Sequence, residues 1–516
     1  MTIDKYEKNK FSQLFTPAGR LPFFLCRFSL CPVPECKISV KSYHSASQKW
    51  YNIHALIFAN ASRLCFRPKG IVMLRFPLPK KRLSSFQVII AGFAAVDFLG
   101  ALLLMLPISA RARCLTPFSE ALFTSTSALC VTGLAVQDTG SYWSAFGQCV
   151  ILLLIQIGGL GVITIAAAFA LLSGRRISLM QRSTLQEASG APQVGGIVRL
   201  TGFILRATLF FELTGAVLLL PVFCADFGPK GIFYAVFHSI SAFCNAGFDL
   251  LGTADARFVS LTRYAHHPYV VLVITALIIC GSLGFLTWED IRVHRLHLHR
   301  YRMQSKVILA VNALLLVLPA LYFFCFEFTA GPVQSRALLS WFQAVTPRTA
   351  GFNTADLAAM RSPSQALMVA LMLLGGAPGS TAGGMKITTL AVLLANMLAT
   401  FRRREDAEFF GRRMDTSAVK NAATIAEMYM LLFFLGSLAI ATAEGLPMSV
   451  CMFETASAVA TVGLTLGITP QLGLFSQCIL IVLMFWGRVG ALTLIYAAFG
   501  RTPAHSRLPQ EKIAVG

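Results

Sequence analysis

Four tetrapeptides in this sequence share one plan: Val131-Thr132-Gly133-Leu134, Asn245-Ala246-Gly247-Phe248, Thr349-Ala350-Gly351-Phe352 and Thr461-Val462-Gly463-Leu464. Their glycines are separated by 114, 104 and 112 residues. Such stretches hold no convergent acid, base or thiol, so their chemistry is that of main-chain oxygen. Glycine permits backbone angles that point successive carbonyls one way. Four such turns about one axis would form oxygen rings that replace the water around a dehydrated cation. The first three residues of each tetrapeptide are therefore the candidate ion-binding positions. Three loops also carry an acid just past the glycine, at Asp138, Asp249 and Asp356. These are expected on the outer side, where they concentrate cations at the mouth.

Such loops need elements to hold them. Each tetrapeptide follows a stretch beginning near Pro117, Pro229, Ser335 or Pro447. That stretch suits a helix of about three turns, too short to span a bilayer. Its partly negative C-terminus would aim at the cavity and favour a cation. Segments long enough to span precede and follow it. The repeating unit is thus spanning helix, half-helix, glycine loop, spanning helix. A single such loop reads as packing; four in register do not. Non-helical backbone at membrane depth is tolerated only where it is buried in protein or lines water.

Composition agrees. Hydrophobic residues make up 56% of the 516, and charged residues 13%, against about a quarter in soluble domains. Apolar runs such as 86–106, 146–172, 269–286, 307–328 and 476–499 exceed the roughly 18 residues that mark a spanning helix. The expected fold is an all-α polytopic membrane protein with pseudo-fourfold symmetry, about eight spanning helices and four pore half-helices. The copies are expected over 73–182, 183–305, 306–415 and 416–516.

The net charge of +21 raises the question of nucleic acid. Its distribution answers against it. Residues 1–85 hold 15 basic and 3 acidic residues. In the body, basic residues cluster in alternate connections: Arg175, Arg176 and Arg182; Arg292, Arg295, Arg300, Arg302 and Lys306; Arg402, Arg403, Arg404, Arg412 and Arg413. Positive charge on alternate connections places these and both termini in the cytoplasm. Phosphate binding by the clusters is the alternative reading. Residues 1–72 show no helical period and no apolar core of a targeting segment. They read as a disordered extension or a mis-assigned start, with Met73 as the natural beginning. Cys26, Cys31, Cys36 and Cys65 fit no standard metal spacing. The thirteen cysteines suggest no disulfide framework.

The motifs TSTSALCVTGL, HSISAFCNAGFD, TPRTAGFNTAD and ETASAVATVGL together resemble the bacterial Trk/Ktr potassium-uptake subunits, over roughly residues 80–510. TPRTAGFNT leans toward the Ktr branch. The resemblance implies a pseudo-fourfold pore and potassium as cargo, usually moved with or stimulated by sodium. It places the filter glycines at Gly133, Gly247, Gly351 and Gly463. It also implies a homodimer in the inner membrane, each protomer with its own pore, regulated by a cytosolic ring of nucleotide-binding subunits. No catalytic constellation, resident cofactor or nucleotide fingerprint is expected in the chain itself.

Two further features concern gating. Residues 373–389, LLGGAPGSTAGGMKITT, cannot continue a helix in lipid without other partners. The ending Met385-Lys386-Ile387 rules against a phosphate-binding loop. The reading is a flap across the pore below the filter, involving Gly375, Gly376, Gly379, Ser380, Thr381, Gly383 and Gly384, with Lys386 facing the inner water. The resemblance implies such a gate; a mere kink is the alternative. Arg488 lies deep in the last spanning segment, where an unpaired charge costs several kcal/mol. It is read as a latch on the flap's carbonyls and an electrostatic barrier. The alternative is pairing with a buried acid, for which Asp97, Glu212 and Glu427 are candidates. The histidines of RVHRLHLHRYR read as a hydrated basic connection, used for docking a partner or anionic lipid, with metal binding as the lesser reading. Rival functions are a transporter built from inverted repeats and a membrane enzyme. All four repeats enter from one side, and no convergent histidines or acids emerge.

Overall fold

The computed structural model describes residues 84–162, 164, 165, 167 and 196–498. The expected extension over 1–72, the start at Met73 and the four cysteines before it lie outside the described residues. So do the Arg175–Arg182 connection and the tail beyond residue 498.

Helix α1 (Ser85–Met105) begins at a reciprocal cap. Ser84 Oγ accepts from the Gln87 amide, and Gln87 Oε1 accepts from the Ser84 amide, so two exposed donors find partners. Asp97 is its one charged residue in 21. The pore helix α2 (Phe118–Leu129) and the returning α3 (Ala145–Leu160) complete the first copy. The second copy is α4 (Ile197–Phe227), α5 (Lys230–Cys244), α6 (Pro268–Ser282) and α7 (Phe285–His294). The third is α8 (Met303–Tyr322), α9 (Val333–Val345), α10 (Ser362–Leu373) and α11 (Ile387–Phe401). A short antiparallel hairpin, β1 (Glu408–Phe409) with β2 (Arg412–Arg413), precedes the fourth. That copy is α12 (Thr416–Glu444), α13 (Met448–Val459), α14 (Leu474–Val489) and α15 (Ala491–Ala498).

All four pore helices take a proline as N-cap: Pro117, Pro229, Pro332 and Pro447. Proline fits there because the N–H it lacks would have no helical partner. The third pore helix accordingly starts at Val333, ahead of the Ser335 start expected from the sequence.

The first helix of each copy is continuous and apolar enough to cross a membrane: Ser85–Met105, Ile197–Phe227, Met303–Glu327 and Thr416–Glu444. They expose bulky apolar side chains such as Phe98, Leu209, Leu314 and Leu431, as lipid contact requires. The chain is a multi-pass, all-α membrane protein. The second crossing behaves differently. Sequence reasoning expects a break only in the third copy, yet all four are interrupted. Gly161 (φ 84, ψ 136), Gly284 (φ 85, ψ 141) and Gly490 (φ 91, ψ 136) share one left-sided conformation. At Gly284 the chain turns so that α6 and α7 meet at 96°. In the third copy the break widens into residues 374–386.

A signal for these breaks is present in the sequence. Each of the three glycines is preceded three residues earlier by another: Gly158, Gly281 and Gly487. A Cβ at these would lie 1.9, 1.9 and 2.1 Å from the carbonyl oxygens of Leu129, Phe243 and Val459 respectively. The first glycine of each pair thus lets the second helix pass against the end of its own pore helix; the second glycine ends it. Packing between copies closes a circle. Helix α3 lies on α5, α6 on α9, α10 on α13, and α14 on α2.

Candidate cation pathway

The circle positions the four tetrapeptides. In each, the first residue has positive φ: Val131 57°, Asn245 59°, Thr349 68° and Thr461 52°. The glycines follow at 98°, 69°, 78° and 93°. Left-handed backbone at the first and third positions repeats one main-chain course four times. For a side-chain-bearing residue it costs about 1–3 kcal/mol, so the surroundings must impose it. They do so from the pore helices. The amides of Thr132, Ala246 and Val462 donate to the carbonyls of Ser127, Ser241 and Ser457, each at 2.8 Å. In the third loop Ala350 donates to Thr346 at 3.0 Å. Ser127 and Ser457 hydroxyls accept from the Gly133 and Gly463 amides at 3.1 and 3.0 Å. Ser241 and Thr346 hydroxyls donate instead to the Phe248 and Phe352 carbonyls.

The glycines converge in chain order. A Cβ on Gly133 would sit 2.6 Å from the Ala246 oxygen, and one on Gly247 2.8 Å from the Gly351 Cα. One on Gly351 would sit 2.4 Å from the Val462 oxygen, and one on Gly463 2.1 Å from the Thr132 oxygen, closing the ring. Among the described residues the buried hydroxyls of Thr132, Thr349 and Thr461 find no hydrogen-bond partner. A cation that strips its water finds only oxygen ligands here. Above the ring lies a cavity of about 250 Å³, lined by all four glycines and by Asp138, Asp249 and Asp356.

The three acids differ in role. Asp356 is exposed and Asp249 half-buried. Asp138 is buried; its carboxylate accepts from the Ser141 amide and hydroxyl at 2.7 Å and from the Phe258 amide at 2.9 Å. It ties the outer loops of the first two copies together. All three line the outer cavity, and Asp138 has this structural role besides.

Below the ring, residues 374–386 form a pinched loop. The Gly375 amide donates to Met385 at 2.7 Å, and Ile387 to Gly376 at 3.1 Å. Ser380 Oγ closes a turn on the Ala377 carbonyl. The loop is fastened to the break of the second copy. Ala377 and Thr381 amides donate to the Ser282 and Gly281 carbonyls, and Phe285 donates to Gly379. Thr381 Oγ1 donates to Phe243 at 2.9 Å. Its far side meets the fourth filter loop. A Cβ on Gly383 would lie 1.9 Å from Thr461 Oγ1, and one on Gly384 2.8 Å from the Ala460 oxygen. Lys386 departs from expectation. Rather than reaching toward water, its ammonium folds back on the Ala382 and Gly383 carbonyls at 2.7 and 3.3 Å. Those carbonyls have no helical donor, and the cation supplies one.

Arg488 donates to the Thr381 carbonyl at 2.5 Å and to Gly158 and Gly159 at 2.5 and 3.1 Å. It therefore joins the loop to the break of the first copy. No carboxylate pairs with it among the described residues. Asp97 accepts from Thr126, Glu212 from Gln156, and Glu427 is exposed. Nor do His294, His297 and His299 belong to a metal-capable group among the described residues. One residue escaped sequence reasoning. Arg348, just before the third tetrapeptide, is 2% exposed and donates to Asn312 Oδ1 on α8. Its neighbours in the motif gave no sign that it turns inward.

With this geometry in hand, similarity to known proteins is informative. Residues 77–506 match the family described as TrkH, cation transport protein. The chain is 39% identical over 454 residues to the potassium/sodium uptake protein NtpJ of Enterococcus hirae, covering 85% of this chain and 98% of the relative. It is 37% identical to the Ktr system potassium uptake protein B of Bacillus subtilis, covering 87% and 99%. Its fold is similar to the crystal structure of the potassium transporter TrkH from Vibrio parahaemolyticus, with a TM-score of 0.65, 19% identity, and coverage of 87% of this chain and 91% of that one.

Proposed function

The chain belongs to the TrkH cation transport family, and from that premise we propose that it is the membrane subunit of a bacterial potassium uptake system. The observation that carries this reading is the closed ring of Gly133, Gly247, Gly351 and Gly463, each packed on the next loop's main chain. Potassium, stripped of water, passes between those loops, with Val131, Thr132, Asn245, Ala246, Thr349, Ala350, Thr461 and Val462 completing the path. Residues 375–386 and Arg488 form the gate beneath. Sodium dependence is supported by the name of the Enterococcus relative, a potassium/sodium uptake protein. In this reading the chain sits in the inner membrane, and the alternation of basic connections supports placing them and the termini in the cytoplasm. It works as a homodimer under a cytosolic nucleotide-binding ring; the Bacillus relative is likewise named as part of a system.

The test is rubidium uptake into potassium-starved cells that lack their own uptake systems, with the regulatory subunit supplied. Saturable uptake that potassium competes away is expected. No uptake above empty vector would end the reading.

The outer acids give a second prediction. Asp138→Ala should lower unfolding free energy by about 2–4 kcal/mol, because three donors lose a buried charged acceptor. Asp356→Asn should leave the thermal midpoint unchanged and slow uptake about twofold at low ionic strength only, as expected of an exposed charge that salt screens. Equal thermal midpoints for the two variants would contradict the division of roles.

A further inference from the structure

Where α4 meets α7, a cleft of about 330 Å³ opens at the surface. Phe203, Phe210, Phe211 and Trp288 line it, with Arg206 and Arg292 among them. Neither arginine has a carboxylate partner among the described residues. Arg206 donates Nε to the Gly202 carbonyl within its own helix. Arg292 lies over the Phe203 ring, 5.5 Å from its centre. Among the described residues nothing takes the remaining guanidinium donors of either, so they can take an anion.

The 31 residues of α4 extend about 46 Å, beyond the ~30 Å hydrocarbon layer. Its lipid-facing band starts at Leu209 and continues through Phe210, Leu213 and Val217. Arg206 stands about one turn before that band, toward the N-terminal end of α4, which the positive-inside pattern puts on the cytoplasmic side. Helix α7 turns 96° from α6 and brings Trp288 and Arg292 to the cleft beside Arg206. A tryptophan beside basic residues at the edge of an apolar band is a common interfacial anchor.

The cleft also reaches the intramembrane loop. Trp288 Nε1 donates to the Cys280 carbonyl across the break in the second crossing. Its ring lies 4.8 Å from that of Phe211, which stacks on Phe243 at 5.5 Å. Phe243 offers its carbonyl to Thr381 Oγ1, and the first residue of α7, Phe285, donates to Gly379.

The geometry points to a binding site for an anionic phospholipid between α4 and α7, whose occupancy biases the loop at residues 374–386. The phosphate takes the free donors of Arg206 and Arg292, and an acyl chain lies along Phe203, Phe210 and Phe211. A zwitterionic headgroup fits less well, because its ammonium is repelled by both guanidiniums. Only the gating half rests on the reading of that loop as a gate.

The test uses the full-length chain in detergent, titrated with phosphatidylglycerol or phosphatidylcholine brominated on the acyl chains. Quenching of Trp288 is isolated by subtracting the Trp288→Phe variant. Phosphatidylglycerol should quench at lower concentration, and Arg206→Gln with Arg292→Gln should weaken it about 30-fold, at about 1 kcal/mol per arginine. Equal midpoints for the two lipids, or an unchanged midpoint in the double variant, would overturn the site. Displacement by an equal concentration of inorganic phosphate would reduce it to an anion site and overturn the lipid. In vesicles, rubidium flux should differ about fivefold between the two lipids, and the difference should vanish in the double variant. Quenching with an equal flux ratio removes the coupling to the loop. Flux absent from every vesicle is a failure of the transport reading, and quenching still decides the lipid site.

Discussion

Gly463→Ala should lower rubidium uptake about a hundredfold while the protein still reaches the membrane. Gly463 has a φ of 93°, and a Cβ there would lie 2.1 Å from the Thr132 oxygen and 2.9 Å from the Gly133 Cα. Left-handed backbone with a side chain costs about 1–2 kcal/mol. Forcing an added carbon into a packed site costs about 1–3 kcal/mol more. The total, about 3 kcal/mol, equals two decades in a binding constant. It falls on the ion path because the displaced oxygen belongs to the first loop, so one substitution spoils two of the four. Gly467 provides the control. Its φ is also 93°, but a Cβ there meets nothing within 4 Å. Gly467→Ala therefore pays the strain without the collision, and uptake should stay close to that of the parent. The two variants should be compared at matched membrane abundance. Equal losses at 463 and 467 would mean that strain alone, rather than displacement of a neighbouring carbonyl, governs the ring.

The four tetrapeptides were legible because each carries its own signal: a glycine after a short half-helix, at nearly equal spacing. The broken third crossing was legible for the same reason, since Gly375, Gly376, Gly379, Gly383, Gly384 and Pro378 crowd one segment. The breaks at Gly161, Gly284 and Gly490 were not. A single glycine costs a helix only about 1 kcal/mol, so whether the helix stops there is decided by what lies alongside. What lies alongside is the carbonyl end of a pore helix, and its one local trace, the second glycine three residues earlier, gains its meaning only from that contact. The role of Asp138 was hidden by distance along the chain, because Phe258, which donates to it, arrives from the next copy. Lys386 was misread because sequence assigns a charge to water by default. The loop's own unpaired carbonyls were the nearer solvent.

Removing the Arg488 side chain should release the loop. Its guanidinium is the group that joins the Thr381 carbonyl to those of Gly158 and Gly159, and thereby joins the third crossing to the first. Hydrogen bonds from a charged donor contribute about 1.5–3 kcal/mol each. Losing the one to the loop is enough to shift a closed-to-open equilibrium about tenfold, which needs only about 1.4 kcal/mol. Arg488→Ala should therefore raise rubidium uptake about tenfold when the regulatory subunit is absent, and lower the thermal midpoint, since three buried carbonyls lose a charged donor and, among the described residues, only Gly158 keeps another, the Gly161 amide. Lysine should not restore the parent behaviour. An ammonium is a compact point charge and lacks the planar fork that reaches two elements at once. Asp97→Asn separates this latch from an ion pair. Asp97 bonds to Thr126 and not to Arg488, so that variant should leave unregulated uptake unchanged. If Arg488→Ala instead lowers uptake, and Asp97→Asn lowers it equally, the arginine serves a buried charge network and the loop is held closed by other contacts.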